Sequence, residues 1–386
     1  MHTEKVALFF FEGTMKTARV SDLSGIINKI APPPLAEEWD NVGLQVGDAA
    51  ATVTKIMVAL DPGRAAVEAA VAGKCQLLLT HHPLIFHPLK KITSADPLGQ
   101  ILQTAIKHDL AVISAHTNYD VAEGGMNDLL AERLGVVGCA PLKITGSEEL
   151  VKLAVFVPKG HEERVLEALF KFSGCLGNYR DSSFRTTGVG TFTPLEGAQP
   201  FLGQVGRREA ADEVRLEVLL KKTDLAAAVN ALIKTHPYEE PAFDLYPLLN
   251  RGVSYGLGRI GELPESTTLG DFAVKVKERL AAVGLRFVGA AGRQVKKVAL
   301  CSGSGASLLQ EARRQGADLL VTGDIKYHEA RAAEDLGIAL IDAGHFATEV
   351  LMVEGLAARL RRELEKHGFT AEVEEYKGER EPFSHI

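Results

Sequence analysis

Lys55-Ile-Met-Val-Ala-Leu-Asp61 and Lys297-Val-Ala-Leu-Cys301 open the two copies of a repeat that decides the fold. The first stretch reads as a strand; a helical pattern follows over 65–74, then the apolar strand Gln76-Leu-Leu-Leu-Thr80. The second copy gives a helix over 307–315 and the strand Asp318-Leu-Leu-Val-Thr322. Lys55 pairs with Lys297, Gly63 with Gly305 and Thr80 with Thr322, each 242 positions apart. A constant offset across a whole strand-helix-strand unit marks duplication. The strands are near-continuous apolar runs, as in a parallel sheet covered by helices on both faces.

Outward from this unit, Ala111-Val-Ile-Ser-Ala-His116 matches Ala339-Leu-Ile-Asp-Ala-Gly-His345 with one residue inserted. In each copy an acid stands four positions on: Asp120 after His116, Glu349 after His345. Helices are expected next, over 127–134 and 350–364. Two related α/β lobes thus carry His-x-x-x-acid elements at corresponding strand ends, where open α/β sheets hold their ligands. Between the lobes the pattern changes to strand 151–157, helix 162–172, strands 185–193 and 214–220, helix 225–235 and strand 242–246. This is the ferredoxin-like β-α-β-β-α-β order. Gly146-Ser147-Glu148 and Asn250-Arg251-Gly252 read as hinges. The expected organisation is α/β: two related lobes forming one discontinuous domain, 15–146 and 251–386, with an inserted ferredoxin-like α+β domain at 147–250. Met15 begins a more typical opening than Met1, so residues 1–14 are expected to be an upstream extension.

Composition bounds the rest. A chain of 386 residues favours two domains, and 46% hydrophobic with 24% charged residues is ordinary for a globular protein. The formal net charge of -7 gives nucleic acid no electrostatic foothold. Cys75, Cys139, Cys175 and Cys301 are scattered without a C-x-x-C pair, which disfavours disulfides and thiolate metal sites and fits a reducing cytoplasm. No apolar run approaches the roughly 20 residues a bilayer span requires.

Thr80-His81-His82-Pro83 ends a strand, so its adjacent imidazoles diverge and suit one ion each rather than one ion together. Pro83 holds His82 extended. Histidines capping a strand are the competing reading. His345 and Glu349 have the spacing that sets two side chains on one helical face; Asp120 is the matching acid, and an ordinary first-turn carboxylate is the alternative for each. Imidazole and carboxylate donors without thiolate suit zinc, iron or manganese. Three histidines and two acids exceed what one catalytic zinc takes and suit two divalent ions about 3.5–4 Å apart sharing a carboxylate. Glu349 is the expected bridge, with His81 and Asp120 on one ion and His82 and His345 on the other. His116 and His328 are candidate catalytic residues just outside, as proton carriers or substrate contacts, or else histidines supporting the ligands.

Two other motifs are candidate substrate contacts. Ser302-Gly-Ser-Gly-Ala-Ser307 is a glycine-rich strand-to-helix turn whose amides, at Gly303 and Gly305, could cradle a phosphate or simply close a tight turn. It lacks the third glycine of a dinucleotide fingerprint and a P-loop lysine. Trp39, Asp40 and Asn41 form a loop that faces substrate or merely packs.

Several of these segments, Glu38-Trp-Asp-Asn-Val-Gly-Leu-Gln-Val-Gly47, Thr80-His-His-Pro-Leu84, Ala115-His-Thr-Asn-Tyr-Asp120, Thr322-Gly-Asp-Ile-Lys-Tyr-His328 and Gly344-His-Phe-Ala-Thr-Glu349, resemble the GTP cyclohydrolase 1 type 2 homologue family, also called NGG-interacting-factor-like. That resemblance implies a dinuclear centre at His81, His82, Asp120, His345 and Glu349, and a ring-shaped homohexamer. His236-Pro-Tyr-Glu-Glu-Pro241 and its surroundings resemble the PII/CutA-like insert of the longer members. The family name implies opening of the GTP purine ring with release of formate. The residues themselves predict a cytoplasmic hydrolase using metal-activated water on a small molecule, such as a nucleotide or phosphate ester. The alternative is a non-catalytic metal-binding or regulatory protein whose insert senses or assembles.

Overall fold

Strands Lys55–Ala59, Leu77–Thr80 and Ala111–Ser114 lie side by side and parallel. Alternate residues feed two cores, which explains the unbroken apolar runs. Met57, Ala59, Leu78 and Val112 pack with residues of helices Arg64–Ala72 and Pro97–Lys107. Ile56, Val58, Leu77, Leu79 and Ile113 join the opposite cluster, shared with helix Leu351–His367. In the second copy Gln294–Ser304, Leu319–Gly323 and Ala339–Asp342 are likewise parallel. Val298, Leu300, Leu319, Val321 and Ile341 enter that same shared core. The two lobes are therefore cemented by one apolar layer.

The computed structural model describes residues 16–173 and 178–384. The expected extension 1–14 with Met15, and Cys175, lie outside the described residues.

Duplication runs deeper than the sequence suggested. Each copy is preceded by a helix, Val20–Ile30 or Leu269–Arg279, and by a short strand, Gly43–Val46 or Arg286–Val288. In both copies that short strand pairs antiparallel with the third strand of the lobe. The loops joining them differ too much in sequence to betray the relation.

The chain divides into two compact units, residues up to Ile144 with Gly256–Ile386, and Thr145–Tyr255. Within the second unit the elements run strand, helix, strand, strand, helix, strand, and the sheet order is last, first, third, second. Leu153, Val155, Leu216 and Val218 of its strands pack on Leu166, Leu169, Ala228 and Leu232 of helices Glu162–Phe170 and Leu225–Thr235. The expected hinges need correction. Residues 146–148 and 250–252 are extended strand, inside Val137–Pro158 and Phe243–Thr268. Gly146 serves close approach rather than bending: a Cβ there would lie 2.5 Å from the Tyr255 hydroxyl. Among the described residues no helix is long and apolar enough to cross a membrane.

Candidate metal centre

Backbone geometry continues past each strand end to set the histidines. His81 N–H donates to Ala59 O at 3.3 Å and His82 N–H to Leu60 O at 3.1 Å. The chain bends at this pair and the two ring centroids lie 5.2 Å apart, with one donor nitrogen of each in the same three-histidine group, so they do not diverge as strand alternation implied. His81 is fully buried, whereas His82 is only partly covered. Asp120 sits on the short helix Thr117–Val121, and His345 and Glu349 bound the helix His345–Glu349.

All four imidazoles are anchored through Nδ1. His81 Nδ1 bonds Ala115 O at 2.9 Å, His82 Nδ1 the Asp61 carboxylate at 2.7 Å, His116 Nδ1 Asp40 at 2.9 Å and His345 Nδ1 Asp324 at 2.6 Å. Each acceptor keeps the proton on Nδ1 and leaves Nε2 as the inward donor. Three of those Nε2 atoms, from His81, His82 and His345, converge on Glu349. His82 and His345 Nε2 lie 3.1 and 2.9 Å from Glu349 Oε2, and His81 Nε2 lies 3.8 Å from Oε1 and 3.7 Å from Asp120 Oδ1. Close as they are, His81 Nε2 and Glu349 Oε2 are buried without a hydrogen-bond partner. Buried polar atoms left unbonded are rare and need an explanation.

The imidazoles and carboxylates shift one another's protonation. Burial opposes ionisation of Glu349, yet the three imidazoles hold its carboxyl well below the usual range. Burial dominates at Asp120 and raises its carboxyl. Burial would lower His82, but Asp61 and Glu349 outweigh it and push the imidazole up to about 10. His345 is held at about 9, first by Glu349 against burial and then by Asp324. Protons thus fill, in the protein alone, the role that divalent ions can take.

Two sets of three donors lie within 4.8 Å of one another: His81, His82 and His116, and His82, His345 and Glu349. This buried cluster could bind metal ions. It draws His116 closer than the sequence suggested. The Asp40 beneath it accepts also from the Thr117 backbone and hydroxyl; despite burial, these bonds hold its carboxyl at about 2. Trp39 is exposed, its ring 5.9 Å from His116 and 5.7 Å from Phe86. Asn41 donates its side-chain amide to Ile85 O. His328 is exposed at the start of helix Tyr327–Leu336, against the Tyr327 ring, and takes no part in the convergence.

Gly303 and Gly305 hold the turn in a different sense from a phosphate cradle. Their amides already donate to Thr348 Oγ1 and Thr322 Oγ1 at 3.0 and 2.8 Å. Gly303 adopts φ +56°, and a Cβ there would overlap Glu349 Oε1. Its absence gives the carboxylate its room. Asp61 and Asp324, which orient two of the imidazoles, escaped the sequence reading. The one signal was the repeat offset, which aligns Asp324 with His82 and Asp61 with Gly303.

A duplicated α/β lobe pair closing on a cluster of imidazoles and carboxylates that could bind metal ions describes a protein of mixed α/β fold. Comparison with known proteins specifies the class. The profile of Duf34/NIF3 (NGG1p interacting factor 3) matches residues 18–382, and the chain belongs to that family. A Bacillus subtilis relative named GTP cyclohydrolase 1 type 2 homolog is 42% identical over 89% of this chain and 92% of its own length. A Halalkalibacterium halodurans relative of the same name is 39% identical over 96% and 100%. The crystal structure of a Bacillus cereus protein related to NIF3 superposes with a TM-score of 0.91, at 38% identity, over 96% of this chain and 100% of that one.

Proposed function

We propose that the chain is a cytoplasmic metal-dependent hydrolase holding two divalent cations, zinc, iron or manganese, on His81, His82, Asp120, His345 and Glu349. The observation that carries the reading is the Glu349 carboxylate. One oxygen faces His81, beside Asp120, and the other faces His82 and His345. That division is what a carboxylate shared between two ions requires. Bound ions would supply Lewis acidity and a water acidic enough to ionise near neutral pH.

The protein's own residues do the rest. Asp61 and Asp324 fix two rings so that their Nε2 atoms stay aimed inward. His116, steadied by the ionised Asp40, is the proton carrier, with Trp39 and Phe86 as an aromatic wall for a planar small-molecule substrate such as a nucleotide. The insert is read as a ferredoxin-like, PII/CutA-like domain on the strength of its strand order, and the assembly as a homohexamer on the family resemblance.

Elemental analysis and turnover test the reading. The parent protein should hold about two ions per chain, and His345→Ala and Glu349→Ala markedly fewer. Metal-loaded protein should release formate from GTP or hydrolyse a member of a phosphoester panel. Metal binding without any turnover, together with ligand-dependent change in assembly, would shift the assignment to a regulatory protein.

A further inference from the structure

A cavity of about 720 Å³ lies wholly within Thr145–Tyr255 and takes no part in the metal centre. Phe156, Phe192, Phe201 and Tyr238 wall it, with the Phe192 and Phe201 rings 5.9 and 6.1 Å from Tyr238. Its charged lining is wholly acidic: Glu196, Glu213, Glu239 and Glu240, with no lysine, arginine or histidine.

Glu213 is the decisive side chain. It is only 9% exposed, its Oε1 accepts from the Tyr238 hydroxyl at 3.0 Å, and no basic group among the described residues pairs with either oxygen. A buried carboxylate without a counter-charge is costly to keep. Its seat is nevertheless built for it. On the neighbouring strand a Cβ at Gly190 would overlap Oε2 and lie 2.5 Å from Cδ, so only glycine leaves the carboxylate its place. Tyr238 is steadied in turn: its N–H donates to His236 Nδ1 at 3.0 Å, and His236 Nε2–H donates to Phe156 O at 3.0 Å. The segment His236-Pro-Tyr-Glu-Glu-Pro241 thus forms one wall of the cavity.

We propose that this cavity binds a linear organic amine carrying two or more positive charges. One ammonium pairs with Glu213, the methylene chain lies along the aromatic rings, and the far ammonium meets Glu239 and Glu240, which are exposed at the rim. Aromatic faces with carboxylates attract such cations by both charge and ring quadrupole. A bare metal ion fits less well, because no three of these carboxylates bring oxygens within 4.8 Å of one another.

Isothermal titration of the full-length, metal-loaded chain with 1,5-diaminopentane tests this, with 1,5-pentanediol as the uncharged match and magnesium as the hard cation. Saturable binding of the diamine at one per chain, absent for the diol, is expected. Glu213→Gln and Gly190→Ala should each weaken it by about tenfold or more, with the metal content of the His/Glu cluster unchanged. Tyr238→Phe keeps the wall and should stay within about threefold. The proposal fails if the diamine does not bind, if the diol binds as well, or if equimolar magnesium displaces the diamine. Parent-like affinity in Glu213→Gln would overturn it as well.

Discussion

Replacing Gly303 by alanine separates backbone strain from metal binding. The residue sits at φ +56°, where a Cβ costs about 1–2 kcal/mol. For a unit of this size that lowers the melting temperature by about 2–8 °C. The same Cβ would overlap Glu349 Oε1 and come within 3.3 Å of His345 Cε1. Glu349 is 4% exposed, so relieving that overlap should turn its carboxylate out of the convergence. Gly316→Ala is the control: φ is +77°, but no atom lies within 4 Å of the new Cβ. Thermal unfolding and elemental analysis of both variants should give similar melting shifts. Only Gly303→Ala should lose metal, to less than about half the parent content, if Glu349 is shared between two ions as proposed. Parent-like metal content in Gly303→Ala, or equal loss in Gly316→Ala, would show that the Gly303 Cβ does not displace Glu349.

Metal uptake should release protons and tighten as pH rises from 6 towards 9, because His82 and His345, raised to about 10 and 9, hold protons that the ion displaces; potentiometric titration at fixed metal checks it. Protein stripped of metal should show the opposite trend in stability: raised imidazoles stabilise fully below about pH 6.5, and that contribution fades as pH climbs through 9 and 10. Asp61→Asn and Asp324→Asn should each weaken metal binding by about 10–100-fold while leaving the fold intact, measured by competition with a chromogenic chelator. Arg259, 5% exposed, pairs with Asp128 through Nε at 2.5 Å and Nη2 at 3.0 Å and also donates to the Val121 and Ala122 carbonyls, so Arg259→Ala should cost about 3–5 kcal/mol in urea unfolding.

Much of this protein was legible from residue order alone. The duplicated strand-helix-strand unit stands out because parallel strands covered on both faces must be apolar at nearly every position. Such runs survive divergence. The His-His pair and the two His-x-x-x-acid spacings were readable for a similar reason: each is fixed by local geometry at a strand end. The edge strands Gly43–Val46 and Arg286–Val288 were missed, since antiparallel edges need few apolar residues and leave little pattern. The glycines at 146 and 252 misled, because a glycine needed for close approach looks the same in sequence as one needed for a bend.

Sequence by itself determined which donors the chain possesses and that two related lobes present them at corresponding strand ends. Tertiary structure alone decided their roles. Asp61 and Asp324 orient imidazoles that lie 21 positions away, His116 turns inward while His328 stays outside, and Gly303 yields space to a carboxylate rather than holding a phosphate. Hydrogen bonds and steric overlap act through space, and only the packing of one lobe on the other sets which atoms meet.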